Sequence, residues 1–231
     1  MSTQLIVALD VGEPHRAKEL VENLYPKVKV FKVGMQLFTI AGPSILKYIN
    51  QKGGKIFLDL KFFDIPNTVK NAIIAAREHG VFSTSLHLLG GVDMLRAATS
   101  VEKRPLLWGV TLLTSLDDED LGMLGIKGSV IERVEDLARL ARDEGLDGLV
   151  CSVREIEMVR KIVGDDLLLI TPGIRLDDSR DDQKRSSTPN QAAKKGSDYI
   201  VVGRPILESP NPIKTAEKIL DELENNINTS D

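Results

Sequence analysis

Eight short apolar runs, rich in β-branched residues, recur along the chain and are separated by segments of helical periodicity. The runs are mainly apolar and do not alternate regularly with polar residues, which is typical of strands buried on both faces of a parallel sheet. The sequence therefore predicts eight parallel strands covered by helices. They are Leu5–Leu9, Val28–Val33, Lys55–Leu58, Phe82–Leu86, Leu106–Val110, Gly148–Cys151, Leu167–Ile170 and Tyr199–Val202.

Amphipathic segments lie between these strands, and repeated strand–helix alternation indicates parallel βα units. Eight units favour an α/β fold of the closed (β/α)8 type, a TIM barrel, which we expect to form a single domain over residues 1–231. An open, doubly wound sheet is the competing architecture, but it usually has fewer strands, and no G-x-G-x-x-G follows the first run. The predicted helices are Glu13–Leu24, Pro43–Lys52, Thr68–His79, Val130–Glu144, Val153–Val163 and Ile213–Asn226.

Charge and cysteine content restrict the class of protein. The net charge of −4 argues against a general nucleic-acid binder. The single cysteine, Cys151, can form no internal disulfide, which suits a reducing compartment. The run Leu5–Leu9 is too short for a signal-peptide core or a membrane span. We therefore expect a cytoplasmic protein with neither nucleic acid nor a membrane among its partners.

Polar residues follow most of the predicted strands, at the end of a barrel where reactive groups usually lie. Asp59 and Lys61 are two residues apart and would share a face of a regular strand. Taken alone, this pair is interpreted most simply as a structural ion pair. Lys32 and Asp64 would extend it to four alternating charges, which favours a network that holds a charged group in place. The polar strand-end residues are Asp10, Lys32, Asp59, Lys61, Asp64, Thr114, Ser115, Arg175, Gly203 and Arg204.

The last predicted strand ends in Val202-Gly203-Arg204. A glycine lets backbone N–H groups approach a ligand, a helix start favours anions, and an arginine can donate two hydrogen bonds. Because barrels commonly bind phosphate after strands seven and eight, this position favours a phosphate site over an ordinary turn. The polar stretch Leu176–Arg185 follows strand seven and is either a lid over the site or a solvated loop.

The remaining reactive residue types favour structural roles. His87 ends the fourth strand without a companion ligand, and Cys151 and Trp108 suit the core. No cluster of His, Cys and carboxylates has the spacing of metal ligands, so we expect no metal.

The segment Asp59-Leu60-Lys61-Phe62-Phe63-Asp64-Ile65-Pro66-Asn67-Thr68 resembles the D-x-K-x-x-D-I-P-x-T signature of the orotidine 5′-monophosphate decarboxylase family. The resemblance, to the bacterial branch of the family, extends over most of the chain. It includes Ala8-Leu9-Asp10, Phe31-Lys32-Val33-Gly34, Thr111-Leu112-Leu113-Thr114-Ser115, Thr171-Pro172-Gly173-Ile174-Arg175, Asp182-Gln183-Lys184-Arg185 and Val202-Gly203-Arg204-Pro205-Ile206.

This resemblance implies a cofactor-free decarboxylase acting on orotidine 5′-monophosphate. In these terms Lys61 donates the proton to C6 of the pyrimidine, and Asp59 faces the departing CO2. Lys32 and Asp64 complete a charged tetrad, with Asp64 and Thr68 reaching in from the second subunit of a homodimer. The implied substrate contacts are Asp10 and Lys32 at the ribose, Thr114 at the ring, Gln183, Gly203 and Arg204 at the phosphate, Arg175 near the loop after strand seven, and also Asp59, Ile65, Thr68 and Pro172.

Two other functions are compatible with parts of the pattern. A sugar-phosphate lyase of the same barrel superfamily resembles the D-x-K-x-x-D element but uses magnesium and an enediolate. The run Ile65-Pro66-Asn67-Thr68 and the segment around Gln183 argue against that function. A barrel that binds a phosphate ligand without catalysis is the other alternative, and the intact set of Asp59, Lys61 and Asp64 argues against it.

Overall fold

Eight parallel strands pair in chain order and close into a barrel in the computed structural model, which describes residues 3–176 and 187–225. The last strand pairs with the first, so the sheet closes on itself. The predicted barrel and its eight strands are therefore confirmed, and the alternative of an open sheet is wrong. The strands are β1 (Gln4–Ala8), β2 (Val30–Gly34), β3 (Lys55–Phe62), β4 (Ser83–His87), β5 (Leu106–Val110), β6 (Gly148–Val150), β7 (Leu168–Thr171) and β8 (Tyr199–Val202).

Helices connect the strands and cover the outside of the barrel. The six predicted helices are confirmed as α1, α3, α4, α7, α8 and α11 of the set below. The other five in the described part of the chain, which are between four and nine residues long, were not predicted. The set is α1 (Pro14–Leu24), α2 (Met35–Ala41), α3 (Ser44–Gln51), α4 (Pro66–Glu78), α5 (Gly91–Thr99), α6 (Asp118–Met123), α7 (Val130–Asp143), α8 (Ile156–Val163), α9 (Pro189–Lys194), α10 (Arg204–Leu207) and α11 (Pro212–Asn225).

Local sequence accounts for where the longer helices begin and end. Pro66 stands in the first turn of α4, where its fixed φ suits the helix and its missing N–H is not needed. Gly80, at φ 66°, adopts the left-handed conformation just beyond the end of this helix. At the start of α7, Ser129 and Glu132 form a capping box that satisfies two backbone N–H groups. Within residues 3–176 and 187–225, no helix is both long and apolar enough to cross a membrane.

Alternate residues of the strands face the barrel interior, and in β1, β2 and β3 these inner rows change from apolar to polar along the strand. In β1 the inner residues Ile6 and Ala8 are followed by Asp10, and in β2 the inner residue Val30 is followed by Lys32. The intervening residues, such as Val7, pack outward against the helices. Because side chains alternate with a period of two, the inner residues at the start of a strand fill the barrel interior, and those at its end line the open mouth of the barrel.

The floor is closed by aromatic rings that surround Trp108, which is completely buried. Its ring centroid lies 4.5 Å from that of Phe57, 5.4 Å from that of Tyr199 and 6.1 Å from that of Phe82. The tilted and edge-on ring geometries are the favourable ones for aromatic pairs. This packing confirms Trp108 as a core residue and fills the barrel below the mouth.

Two arginine–aspartate pairs tie strands together at the opposite, amino-terminal end of the barrel. Arg104 is paired with Asp147, which also accepts the backbone N–H of Leu107. Arg160 donates to Asp198 at 2.7 Å, and Asp198 accepts the backbone N–H of Leu169 at 2.8 Å. Each aspartate therefore joins the start of its own strand to a neighbouring strand. We refer to these two arrangements as the basal staples.

The Asp198 staple should contribute measurably to stability, because it satisfies a backbone donor and a guanidinium in a partly buried setting. We expect Asp198→Ala to lower the free energy of unfolding by about 1–3 kcal/mol. Asp165 is the matched control, since it lies 4.0 Å from the same Arg160 but is fully exposed, and Asp165→Ala should leave stability unchanged. Urea unfolding of both variants measures the difference. Equal losses in the two variants would contradict a specific role for Asp198.

Candidate active site

An alternating chain of charges runs across the first three strands at the mouth of the barrel. Lys32 Nζ, from β2, lies 2.9 Å from Asp10 Oδ1, just beyond β1, and 3.7 Å from Asp59 Oδ2 on β3. Lys61 Nζ lies 2.9 Å from the same Asp59 Oδ2. Asp59 thus stands between two ammonium groups, and Lys32 stands between two carboxylates. The pair predicted from the D-x-K spacing is part of this larger network.

The Asp59 side chain is 12% exposed, so its charge depends on these partners. Burial alone would raise the pKa of Asp59, but the charges of Lys32 and Lys61 outweigh it and hold the pKa below its ordinary value. Hydrogen bonds from Lys61 and Ser85 act in the same direction. Leaving such a buried charge without a partner would cost about 3–5 kcal/mol, which makes the network a strong constraint on the local fold.

The backbone of Lys61 departs from a regular strand. Its φ is 50°, in the left-handed region that a residue with a side chain rarely adopts. The pairing of β3 with β4 is interrupted between Leu58 and Phe62, the interval that contains Lys61. Asp59 and Lys61 do meet, as predicted, but through this irregular backbone and not through the simple alternation of a strand. A strain of roughly 1–3 kcal/mol is typical of such residues and often marks a functional site.

A glycine at the end of β2 leaves room for the Asp10–Lys32 pair. A Cβ atom at Gly34 would lie 2.9 Å from Asp10 Oδ1 and 3.0 Å from Lys32 Nζ. Both distances are too short for an undisturbed contact, so a larger residue would displace the pair. Gly34 is not among the site residues predicted from the sequence, and its role follows from the structure.

A cavity of about 710 Å³ opens over the charge chain. This volume is in the range typical of small-molecule sites. Most of the predicted site residues line it, together with apolar side chains from the barrel interior such as Phe57, Val110 and Val150. The predicted residues that the cavity brings together are Asp10, Lys32, Asp59, Lys61, Thr114, Ser115, Pro172, Arg175, Gly203 and Arg204.

The side of the cavity formed by β7 and β8 carries two arginines. In a closed barrel of eight strands, β7 lies across from β3. Arg175, which follows β7, and Lys61 on β3 therefore line the cavity from opposite sides. Gly203 lines the cavity directly before α10, whose first residue is Arg204. Arg175, Gly203 and Arg204, where an anionic group was predicted, therefore line the cavity, and an anion there would meet positive charge.

Two backbone hydrogen bonds near Arg175 connect the residues that precede positions 177–186 to those that follow them. The backbone N–H of Arg175 donates to the carbonyl of Ser187 at 2.9 Å, and the N–H of Ser187 donates to the carbonyl of Gly173 at 3.2 Å. These bonds join the two sides of residues 177–186 at the cavity rim. Gln183, predicted to contact phosphate, lies in that segment and outside the described residues. Most of the polar stretch Leu176–Arg185, interpreted as either a lid or a solvated loop, lies there too.

Three predicted site residues lie away from the cavity of their own chain. Asp64, Ile65 and Thr68, at and just before the start of α4, are exposed, and Ile65 is 68% exposed. The Asp64 carboxylate accepts the backbone N–H of Ile65 at 2.7 Å. Phe63 beside them is 61% exposed, so this segment presents apolar side chains to its surroundings.

His87 and Cys151 border the site without forming a nucleophilic or metal arrangement. Burial and the charge of Lys61 hold the pKa of His87 below its ordinary value, although Asp59 opposes this effect. Cys151 lines the cavity, and burial raises the pKa of its thiol. Among the described residues, no group of three or more His, Cys, Asp or Glu side chains is placed to hold a metal ion.

The geometry suits an anionic ligand that reacts beside Lys61. A group bound at Arg175 and Arg204 would span the cavity and place its other end against the buried Asp59–Lys61 pair. There, a preorganised ammonium can stabilise developing negative charge and deliver a proton. Ser85, which contacts both Asp59 and Lys61, is the functional candidate that sequence reasoning missed. It is one of three consecutive hydroxyl residues in β4, Ser83, Thr84 and Ser85, and no motif distinguishes it from the other two.

Comparisons with known proteins agree with this geometry. The chain is 44% identical over 229 residues to orotidine 5′-phosphate decarboxylase of Legionella pneumophila (strain Lens), with 96% of this chain and 100% of the relative covered. It is 44% identical over 231 residues to that of Dictyoglomus turgidum, with 95% of each chain covered. The structure of orotidine 5′-phosphate decarboxylase from Lactobacillus acidophilus matches with a TM-score of 0.84 at 37% identity, covering 96% of this chain and 99% of that one.

A family model described as orotidine 5′-phosphate decarboxylase / HUMPS matches residues 3–219, which is nearly the whole chain and includes every strand of the barrel. The relatives are matched over almost their full lengths, so the likeness extends well beyond the signature around Lys61. The chain therefore belongs to the orotidine 5′-phosphate decarboxylase / HUMPS family.

Proposed function

We propose that this chain converts orotidine 5′-monophosphate to UMP and CO2, the last step of de novo pyrimidine nucleotide synthesis, without a cofactor. The single observation that carries the proposal is the Asp59 carboxylate held between Lys32 and Lys61 inside the cavity. The names of its relatives and its family support the same reaction. Because the family model spans residues 3–219, we also infer that residues 1–231 form one domain.

Decarboxylation breaks the bond between C6 of the pyrimidine and its carboxylate carbon. CO2 departs, and the electron pair of the broken bond stays on C6. The ammonium of Lys61 stabilises this charge and then transfers a proton to C6, which completes UMP and leaves a neutral amine that regains a proton from solvent. No conjugated sink receives the charge, so a fixed cation at C6 supplies the main stabilisation.

Asp59 has a different part in this proposal. Its carboxylate faces the carboxylate of the substrate and repels it, and this repulsion is relieved as CO2 leaves. The lowered pKa of Asp59 supports the role, because Lys32 and Lys61 favour the charged form of its side chain. Binding energy from the distant phosphate would offset the repulsion in the bound state.

The proposed substrate contacts extend across the cavity. Asp10 and Lys32 bind the ribose, with their ion pair already formed at 2.9 Å. The phosphate is placed against the two cavity arginines, where Gly203 leaves space for it, and Gln183 would complete that site from the segment outside the described residues. The remaining proposed contacts are Thr114 and Pro172 at the pyrimidine, and Ile65 and Thr68 from a second subunit.

We further infer a homodimer in which Asp64 and Thr68 of each chain complete the other chain's site. Two observations support this arrangement. Both residues are exposed and lie outside their own cavity, and the segment between them includes the exposed side chain of Ile65. Phe63 and Leu89 add further exposed apolar surface at this side of the barrel. A two-fold interface would bury this surface and exchange Asp64 reciprocally.

The cytoplasmic location expected from the sequence stays a prediction.

Removal of Lys61 should abolish turnover. We expect Lys61→Ala to lower kcat by at least roughly a thousandfold, because it removes both the charge and the proton at C6. Affinity for UMP should change by less than about tenfold, since the interaction belongs to the transition state. Lys55 is the matched control: it lies on the same strand at the other end of the barrel, and Lys55→Ala should leave kcat unchanged. Near-normal turnover by Lys61→Ala, followed as loss of substrate absorbance, would remove Lys61 from this role.

Activity should survive exhaustive treatment with EDTA, because the proposed chemistry meets the developing charge with Lys61 and needs no divalent ion. The assay compares turnover before and after chelation, with and without added magnesium. Loss of activity that magnesium restores would favour the sugar-phosphate lyase alternative.

Mixing two inactive variants tests the shared site. In a mixed dimer of Lys61→Ala and Asp64→Asn, one site takes Lys61 from the second variant and Asp64 from the first and is intact. Random pairing at equal amounts makes about half of the dimers mixed, so roughly a quarter of all sites should recover. A mixture of Lys61→Ala with the double variant is the control and should recover nothing. If subunit exchange is confirmed by differently tagged chains and activity stays absent, the shared site is wrong.

A further inference from the structure

Ser85 makes two hydrogen bonds to the charged network although it is completely buried. Its hydroxyl donates to Asp59 Oδ1 at 2.7 Å and accepts the backbone N–H of Lys61 at 2.9 Å. A ligand in the cavity therefore experiences Ser85 only through Asp59 and Lys61. The side chain uses one donor and one acceptor on two residues of the neighbouring strand that are central to the proposed reaction.

The division of contacts on the Asp59 carboxylate is informative. Oδ1 accepts from Ser85, and Oδ2 lies 2.9 Å from Lys61 Nζ and 3.7 Å from Lys32 Nζ. The terminal torsion of an aspartate is broad, so the carboxylate has little intrinsic preference for one orientation. A donor at Oδ1 selects the orientation in which Oδ2 faces both lysines.

The second bond compensates for the break in the strand pairing. Between Leu58 and Phe62 the regular pairing of β3 with β4 is interrupted, and Lys61 has a φ of 50°. Its backbone N–H would otherwise be left without a regular partner on β4 at this point. Ser85 on β4 provides an acceptor from its side chain and so stabilises the left-handed backbone from which the Lys61 side chain extends.

We infer that Ser85 is a positioning residue for the proposed decarboxylation: through one hydroxyl it orients the Asp59 carboxylate and holds the backbone of Lys61. This inference rests on the proposed function, because it assigns to Ser85 the spacing of the two groups that would act on the substrate. Ser85 itself exchanges no proton with the substrate. Its contribution is to keep Asp59 and Lys61 in one fixed relation before the substrate binds.

The neighbouring strand position offers a matched control. Ser83 lies two residues earlier on β4, faces the same side of the strand and is equally buried. Its hydroxyl finds no hydrogen-bond partner within the described residues. Substitution by alanine at Ser83 and Ser85 therefore removes the same atom from the same strand, and only Ser85→Ala removes contacts to Asp59 and Lys61.

The test is a comparison of steady-state kinetics and UMP binding among three variants. Ser85→Ala should lower kcat by about 10- to 100-fold, as expected for loss of a hydrogen bond to a charged group in the transition state. UMP affinity should change by less than roughly threefold. Ser83→Ala should keep the kcat of the unmodified chain. Ser85→Thr retains the hydroxyl and should recover most of kcat.

Hydrogen exchange at the Lys61 amide provides a readout independent of catalysis. Exchange should be faster in Ser85→Ala than in Ser83→Ala, because only the former removes the acceptor of that amide. If Ser85→Ala fails to fold, Ser85→Cys preserves the shape of the side chain with a weak hydrogen-bonding group and serves the same comparison.

The outcomes separate this inference from the proposed function. An unmodified chain without decarboxylase activity would refute the proposed function, and the exchange measurement would still report on the Ser85 contacts. An active chain in which Ser85→Ala and Ser83→Ala have equal kcat values would overturn the inference and leave the function standing. A fall in kcat matched by an equal loss of UMP affinity would also overturn it, since that pattern indicates general disruption of the site.

Discussion

The buried carboxylate of Asp59 accepts contacts from two ammonium groups and one hydroxyl, and the geometry of the barrel mouth depends on that convergence. The three partners, Lys32, Lys61 and Ser85, come from β2, β3 and β4. Each contact offsets part of the cost of burying the charge, which would be about 3–5 kcal/mol if the pairing were lost. The cost of losing the pairing is larger than the roughly 1–3 kcal/mol of backbone strain expected at Lys61, so the network can hold Lys61 in its left-handed conformation.

Periodicity accounts for how much of this arrangement can be predicted from sequence. Apolar runs locate the strands, and a period of two then carries the inner row of β1 to Asp10 and that of β2 to Lys32. Four of the five helices that were not predicted, α2, α6, α9 and α10, have seven residues or fewer, which is too few to show a helical period. The nine-residue α5 was missed although the eight-residue α3 and α8 were predicted, so length does not account for it.

The rest of the site depends on information that a strand pattern does not contain. A single sequence carries no pattern that predicts the left-handed backbone of Lys61. The hydroxyl that supports this backbone belongs to Ser85, 24 positions further along the chain. The alternation of residues in a strand cannot place Asp64 and Thr68 in a site, because both side chains are exposed and neither lines the cavity of its own chain. The charge pattern predicted that Asp64 joins Lys32, Asp59 and Lys61, but within one chain Asp10 takes that position and the Asp64 carboxylate accepts the N–H of Ile65. Only the family resemblance assigns Asp64 and Thr68 to the site of a second subunit.

The basal staples have a consequence for how such a chain can change over evolutionary time. Asp147 and Asp198 secure strands at the end of the barrel remote from Lys61, so their contribution to stability is independent of the groups that would carry the reaction. Substitutions at the mouth can then alter ligand preference while the strands stay in register. A lineage that preserves these aspartates and their arginines would tolerate more substitutions among the residues that line the cavity, and such substitutions can change which ligand is bound.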